Sequence, residues 1–426
     1  MKTVLGILAG IGILALLAVL WLQTDDELNP QAKALLERVA IEGESRAYRY
    51  LMGIFADEGE DPGKVGARLV ADIRNAQERD APLSIEGLDY LHYPEHRKLA
   101  LPEGPRFCRW ADPGCVEQVF AAPATLQQTL ETHAVLLQRY QQFLTFDDYA
   151  TLTIPAADEP FPPFRYLQTG GRLLLLKAIS LSQQGKREQA MGLLSGHIND
   201  VRRQLEQQDM LVGKVLFVSL LSETLDVASV LSREAGCITS EVAALSASER
   251  SLDKALARDL WGFHATFQNL DGDGSFFHVG AETPEWWVRL LFKPVMTTNG
   301  LWPWYQYTLA QSSMSASEFA DSLSQESPPS LETSLLRNYA GRALLSVSAP
   351  DYQEFIAVLH DLEAKRVLFN AFNGCQTVSP EVVQNPYYHE PNPAFRAGPE
   401  GEENIALCFS GPLADDRKIR CLRLES

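Results

Sequence analysis

Residues 4–22 form an unbroken apolar run, with Lys2 before it and Asp25, Asp26 and Glu27 after it. No other stretch so narrows what the chain can become. About 20 residues at ~1.5 Å rise each cross a bilayer core of ~30 Å. A single segment in lipid must satisfy its own backbone hydrogen bonds, so it must be a helix. Trp21 falls at the far end, where an indole prefers the interface. A cleaved signal peptide is the competing reading, but its apolar core is about 7–15 residues and ends at a small-residue site. The run here is longer, and Leu20-Trp21-Leu22-Gln23 offers no small residue. No cysteine follows directly, which excludes a lipoprotein. The expectation is a retained anchor over residues 1–23, inserted N-in because lysine precedes it, with the rest of the chain on the periplasmic side of an inner membrane. Gly6-x-x-x-Gly10 would let two such helices approach as a homodimer, although glycine is common in membrane helices anyway.

The net charge is −18 over 426 residues. A nucleic-acid surface needs a basic stripe, so that partner class is not expected. Apolar and charged fractions are those of a folded protein, and the length past the anchor suits two or three units. The divisions expected are 24–150, 151–330 and 331–426.

Six cysteines lie beyond the run: Cys108, Cys115, Cys237, Cys375, Cys408 and Cys421. In an oxidising compartment these become disulfides. Cys108 and Cys115 flank a turn signal, Asp112-Pro113-Gly114, that brings them close. Cys408 and Cys421 lie in two terminal β-like runs, 405–409 and 418–424, joined by a loop with Gly411 and Pro412. That arrangement allows a cross-strand bridge, with Cys375 able to compete for either partner. A zinc site is a weaker reading, since no C-x2-C pair exists. No metal and no cofactor are expected.

The fold class expected is mainly α: the transmembrane helix, an irregular helical bundle with one tetratricopeptide-like hairpin, and a small C-terminal β hairpin. Asn29-Pro30 and Asp61-Pro62 are cap-plus-proline helix starts. Leu35, Leu36, Val39, Tyr48, Leu51 and Ile54 recur at helical spacing after the first. Val65, Leu69, Val70 and Ile73 make one face after the second. Residues 80–124 read as irregular, 125–146 as a third helix, and 154–163 as a proline-broken linker or crossing loop. Within 164–231, Ala178, Leu181, Gly185, Ala190 and Leu194 have the tetratricopeptide spacing, but no further copy follows at a 34-residue period. Helices are expected at 211–232, 248–270, 331–347 and 351–372, with β structure closing the chain.

Trp286, Trp287, Trp302, Trp304, Tyr305 and Tyr307 make 286–307 densely aromatic. Exposed, such a cluster is a partner or ligand patch; a core packed with large rings is the plainer account.

Asn338-Tyr339-Ala340-Gly341-Arg342, Pro350-Asp351-Tyr352 and His360-Asp361-Leu362 resemble the motifs of a family of uncharacterised, single-pass, membrane-anchored bacterial helical proteins. In that family an Asn-Pro-x-Gly-Lys segment precedes a Pro-Asp-aromatic helix start and a His-Asp-Leu. Asp209-Met210-Leu211-Val212-Gly213-Lys214 and Asn385-Pro386-Tyr387 are similar to two further elements, so the resemblance covers about 165–426. The chain departs from it at Tyr339 and Arg342, where proline and lysine are usual. The resemblance implies an anchored helical protein, with Asn338, Gly341, Arg342, His360 and Asp361 as its marked positions, and no reaction.

Motifs of known chemistry fail in their details. Residues 269–274 begin like a calcium loop, but Gly280 stands where a bidentate glutamate is required. Gly213-Lys214 lacks the glycine and hydroxyl of a phosphate loop and reads as a packing glycine beside a cation. Tyr93-Pro94 prevents His92 and His96 from aligning on a helix. His264 reads as a satisfied histidine beside an aromatic core. His360 and Asp361 are neighbours, point in different directions, and so cannot form a simple dyad; a helix-terminal hydrogen-bonding role is expected. The balance favours a periplasmic interaction or scaffold module binding an envelope protein. The alternative is an envelope enzyme, a hydrolase of cell-wall or glycan material, and a small-ligand binder using the aromatic cluster ranks third.

Overall fold

The apolar run folds as one helix, α1 (Lys2–Gln23), and none of its Gly6–Gln23 window is buried by the rest of the chain. The structure, a computed structural model, describes residues 2–39, 41, 43–78, 93–103, 107, 115–156, 159–234, 241–272, 290–325, 327–348, 351–372, 379–397 and 406–424. Among the described residues one other helix is long and apolar enough to cross a membrane, at Leu211–Arg233, but 72% of that window is buried. It is a core helix, surrounded by neighbours and mostly apolar, with Lys214 and Asp226 buried along it.

Both expected cap-plus-proline starts are present. The Asn29 side chain accepts from the amides of Gln31 and Ala32 to open α2 (Pro30–Leu36). Asp61 does the same for Gly63 and Lys64 at α4 (Pro62–Gln77), whose Val65, Leu69, Val70 and Ile73 are all buried. Between them the expected continuous helical stretch is interrupted. Gly43 adopts φ +123°, and α3 (Arg46–Met52) starts afresh with Ser45 capping Tyr48. α3 and α4 touch backbone to backbone: a Cβ on Gly66 would lie 1.7 Å from the Arg49 carbonyl oxygen.

Next come α5 (Cys115–Phe120), α6 (Pro123–Thr132) and α7 (Ala134–Leu144). The single helix expected over 125–146 is therefore two, broken at His133, whose φ −109° and ψ 25° are not helical. Arg139 of α7 is buried and donates to the carbonyls of Ile54, Ala56, Asp57 and Glu60. A loop whose carbonyls cannot reach water is thereby satisfied.

The helical hairpin expected after 164 is present as α8 (Phe164–Gln183) and α9 (Arg187–Gln207). It turns at Gly185, which has φ +78°, a conformation glycine adopts without strain. α10 (Leu211–Glu234) packs on both and on the C-terminal elements. α11 (Ala247–Arg250) opens with a capping box between Ser246 and Glu249, and α12 (Asp253–Gly272) follows. α13 (Pro294–Ser312) carries Pro303 in its interior, and α14 (Ala316–Gln325), α15 (Tyr339–Ser348) and α16 (Gln353–Phe372) complete the helices. The helix expected from 331 begins only at Tyr339. Ser334 instead takes the Arg337 amide in a local turn, and the side-chain oxygen of Asn338 is committed to the Lys293 amide.

The C-terminal β structure is a three-stranded antiparallel sheet, β1 (Phe395–Ala397), β2 (Ala406–Cys408) and β3 (Cys421–Arg423), so the expected hairpin gains a strand. Cys408 stands opposite Cys421 in register, and the two are joined by a disulfide. Buried charges fix the sheet to the helices. Lys365 of α16 donates to Ser222 (2.8 Å) and Asp226 (2.6 Å) of α10, and Asp226 accepts from the β3 amide of Arg423. One apolar cluster runs through the body from Ala32 to Leu424.

Candidate functional site

A cavity of about 310 Å³ opens between the start of α10, the residues Pro155, Ala156 and Glu159, and one face of α12. Three acidic residues line it, Glu159, Asp209 and Asp259, together with Arg258 and an apolar wall that includes Pro155, Met210, Leu211 and Phe263. Ala255, Arg258, Asp259, Gly262, Phe263 and Thr266 reach it at the three- and four-residue spacing of a single helix face.

Loop residues 151–154 are ordered by the same charged groups. Asp209 accepts from both the amide and the hydroxyl of Thr151, each at 2.7 Å. Arg258 donates to the carbonyl of Thr153 at 2.7 Å and pairs with Glu159. Glu159 also accepts from the Thr153 hydroxyl, which lies 3.0 Å from the hydroxyl of buried Tyr48. Gln77 brackets Ile154 through its amide and carbonyl. The backbone leading into the proline-rich crossing, at Thr151, Thr153 and Ile154, thus has polar groups answered by side chains.

Glu159 has a side chain only 8% exposed. Burial pushes its carboxyl up to about 7, against the opposing pull of Arg258. On the next α12 position, Asp259 accepts from the hydroxyls of Tyr305 (2.5 Å) and Tyr352, which lie 2.6 Å from each other. Burial raises the Asp259 carboxyl and the two hydroxyls oppose that rise, while the two phenols are pushed far up. The cavity therefore holds two carboxyls displaced toward the neutral form, the setting that acid–base sites use and that buried structural clusters also produce.

Several expected positions take inward roles. Trp302 is buried, and its indole donates to Gln31 of α2 at 3.3 Å. Tyr305 is buried against Tyr352, with ring centroids 5.4 Å apart. Trp304 is half-buried beside Tyr307, and Trp286 and Trp287 lie outside the described residues. Asn338 is buried: its carbonyl takes the Lys293 amide (2.8 Å), and its NH2 reaches Thr297 (2.9 Å) and Thr333 (3.1 Å). A Cβ on Gly341 would lie 2.2 Å from the Thr297 hydroxyl, so glycine is required for α15 to meet α13. Arg342 is exposed and donates to the Thr333 carbonyl.

His360 and Asp361 stand inside α16, not at a helix end as expected. They do diverge. His360 stacks on Phe319 (5.3 Å), and burial holds its ring at about 4. Asp361 accepts from Tyr387 (2.6 Å) and Arg420 (3.2 Å), and burial pushes it up to about 7. Both touch the C-terminal segment, His360 through the edge of Tyr387 (6.2 Å) and Asp361 through Tyr387 and Arg420. Gly213 packs over Gln208, and Lys214 is buried, donating to the Glu249 carbonyl and held down near 8 by desolvation. His264 shares a hydrogen bond with Thr298 (3.0 Å). Cys115 is disulfide-bonded, but Cys108, Cys237 and Cys375 lie outside the described residues, as do His92 and the 273–280 part of the calcium-like loop. Among the described residues, no three His, Cys, Asp or Glu side chains converge closely enough to hold a metal ion.

Sequence reasoning missed Glu159, Arg258, Asp259 and Tyr352 as members of one site. The available signal was an Arg-Asp pair in the apolar stripe of Leu252, Leu256 and Leu260, next to Gly262. Comparison with protein-family models, curated proteins and solved structures finds no match.

Proposed function

We propose that this chain is an inner-membrane-anchored periplasmic module that holds an interaction surface at a fixed place on the membrane. One observation carries the reading: the residues leaving α1 are clamped to the body. Asp25 accepts the amides of Val295 (2.8 Å) and Met296 (3.0 Å), the otherwise orphaned first donors of α13. Arg337 pairs with Asp26 (3.1 Å), donates to the Thr24 carbonyl (2.7 Å) and stacks 5.0 Å over Trp21. Asn299 bridges the Asn29 amide and the Glu27 carbonyl. A helix meant only for export and removal has no use for such a clamp, whereas a tether that must orient its load does. The α8–α9 hairpin, with its tetratricopeptide-like spacing, is the surface proposed to receive an envelope protein, in the helix-in-groove manner. Gly6 and Gly10, with nothing packed on them, offer a notch for a second copy of α1. A phosphatase reporter fused after Asn29 should be active, as in the periplasm; an inactive fusion would overturn the orientation.

A second reading has its own observation. Glu159 and Asp259, both raised by burial, line one cavity, as expected of an envelope hydrolase acting on cell-wall or glycan material. Purified full-length protein incubated with cell-wall glycan should release product that disappears in Glu159→Gln and Asp259→Asn. Equal release by the variants would remove this reading.

A further inference from the structure

Outside α1, eight large apolar side chains are exposed among the described residues, and four of them, Leu335, Leu336, Tyr339 and Val347, fall within 335–347. Leu336 is 77% and Val347 83% exposed. Their outward direction is fixed by packing. Gly341 and Leu345 on the opposite face of α15 are buried against Thr297 and Gly300 of α13. Tyr339, Ala343 and Val347 then follow at i, i+4 and i+8 along the outer face.

This face is continuous with the end of α1. Arg337, the residue after Leu336, is the one that stacks over Trp21 and pairs with Asp26. The local charge is also opposite in sign to that of the whole molecule. In a chain of net charge −18, residues 333–350 contain Arg337 and Arg342 and no acidic residue. An apolar helix face with the exposed Arg342 at its edge has the composition of an interfacial helix, whose side chains enter the headgroup boundary while a guanidinium meets phosphate.

The geometry points to the outer face of α15 and the preceding turn lying in the membrane interface beside α1, so that the body rests on the bilayer as well as being tied to it. This rests on α1 being a retained span. The occupant is lipid because any surface contiguous with the end of a spanning helix is already bordered by headgroups.

The test uses the full-length protein in nanodiscs of phosphatidylethanolamine and phosphatidylglycerol. A benzophenone amino acid is placed singly at Leu14, Leu336, Val347 or the exposed Glu188 at the start of α9. Intact-mass spectrometry after illumination reads lipid adducts. Adducts at 336 and 347 should exceed those at 188 by at least ~10-fold, as for a helix embedded in the interface. Adducts at 14 with 336 and 347 no higher than 188, or with both crosslinked to a second copy, would overturn the inference and leave the anchor standing. No adduct at 14 would overturn the anchor and the inference together.

Discussion

His197 is held without charge at the centre of the bundle. Tyr140 and Thr224 engage its two ring nitrogens at 2.7 and 3.0 Å, and burial depresses its pKa to about 3. Unfolded, the ring titrates near 6.5. Below that pH the unfolded chain binds a proton the folded one refuses, so stability falls as pH drops from about 6.5 toward 3. His197→Gln should flatten that slope relative to the parent in urea unfolding between pH 7 and 4; an unchanged slope would count against the buried neutral ring. Glu159 has the opposite sign. Its carboxyl, raised to about 7, is protonated in the fold between about 4.5 and 7 while the unfolded chain is ionised, so its contribution weakens as pH rises through that window. Gly341→Ala places a methyl against the Thr297 hydroxyl and should cost ~1–3 kcal/mol, the usual range for overpacking, read as a lower denaturant midpoint. At this scale the sequence was legible wherever chemistry is local: Asn29 and Asp61 cap as their spacing requires. Glu159, Asp209 and Asp259 were not grouped, because a site assembled from three distant segments leaves no periodic trace.

At the scale of elements, the caps and the apolar periodicity located most helices, and the errors have local causes. A positive-φ glycine splits the stretch after 30, and His133 breaks the helix expected at 125–146. The local turn at Ser334 and the commitment of Asn338 to the Lys293 amide delay α15. β1 has three residues, too few for alternation to register. The Cys408–Cys421 bridge was legible because both residues lie in β-like runs that pair in register. Its loop has a sequence separation of 13, so Cys408→Ser with Cys421→Ser should lower stability by ~2–3 kcal/mol, measured as a reduced thermal midpoint under non-reducing conditions. The clamp makes its own prediction. Asp25→Ala removes the acceptor for Val295 and Met296, and hydrogen exchange at those two amides should quicken at least ~10-fold, the equivalent of a lost helix cap. Unchanged exchange would show that Asp25 does not hold α13.

For the whole molecule, the first apolar run, α1, stands apart from an otherwise shared core, and residues 24–29 convert that separation into a fixed relation between helix and body. Sequence indicated the run but not the clamp, since Asp25 lies more than 270 positions before Asn299 and Arg337 and meets their surroundings only in the fold. In the arrangement proposed, an uncleaved α1 holds the body on the periplasmic face of the membrane. Spheroplasts expressing the full-length chain, treated with external protease and then with alkaline carbonate, test it most directly. A carbonate-resistant full-length chain is expected before protease, and loss of the body after it. A chain beginning after residue 23 and released by carbonate, or a body protected in intact spheroplasts, would contradict it.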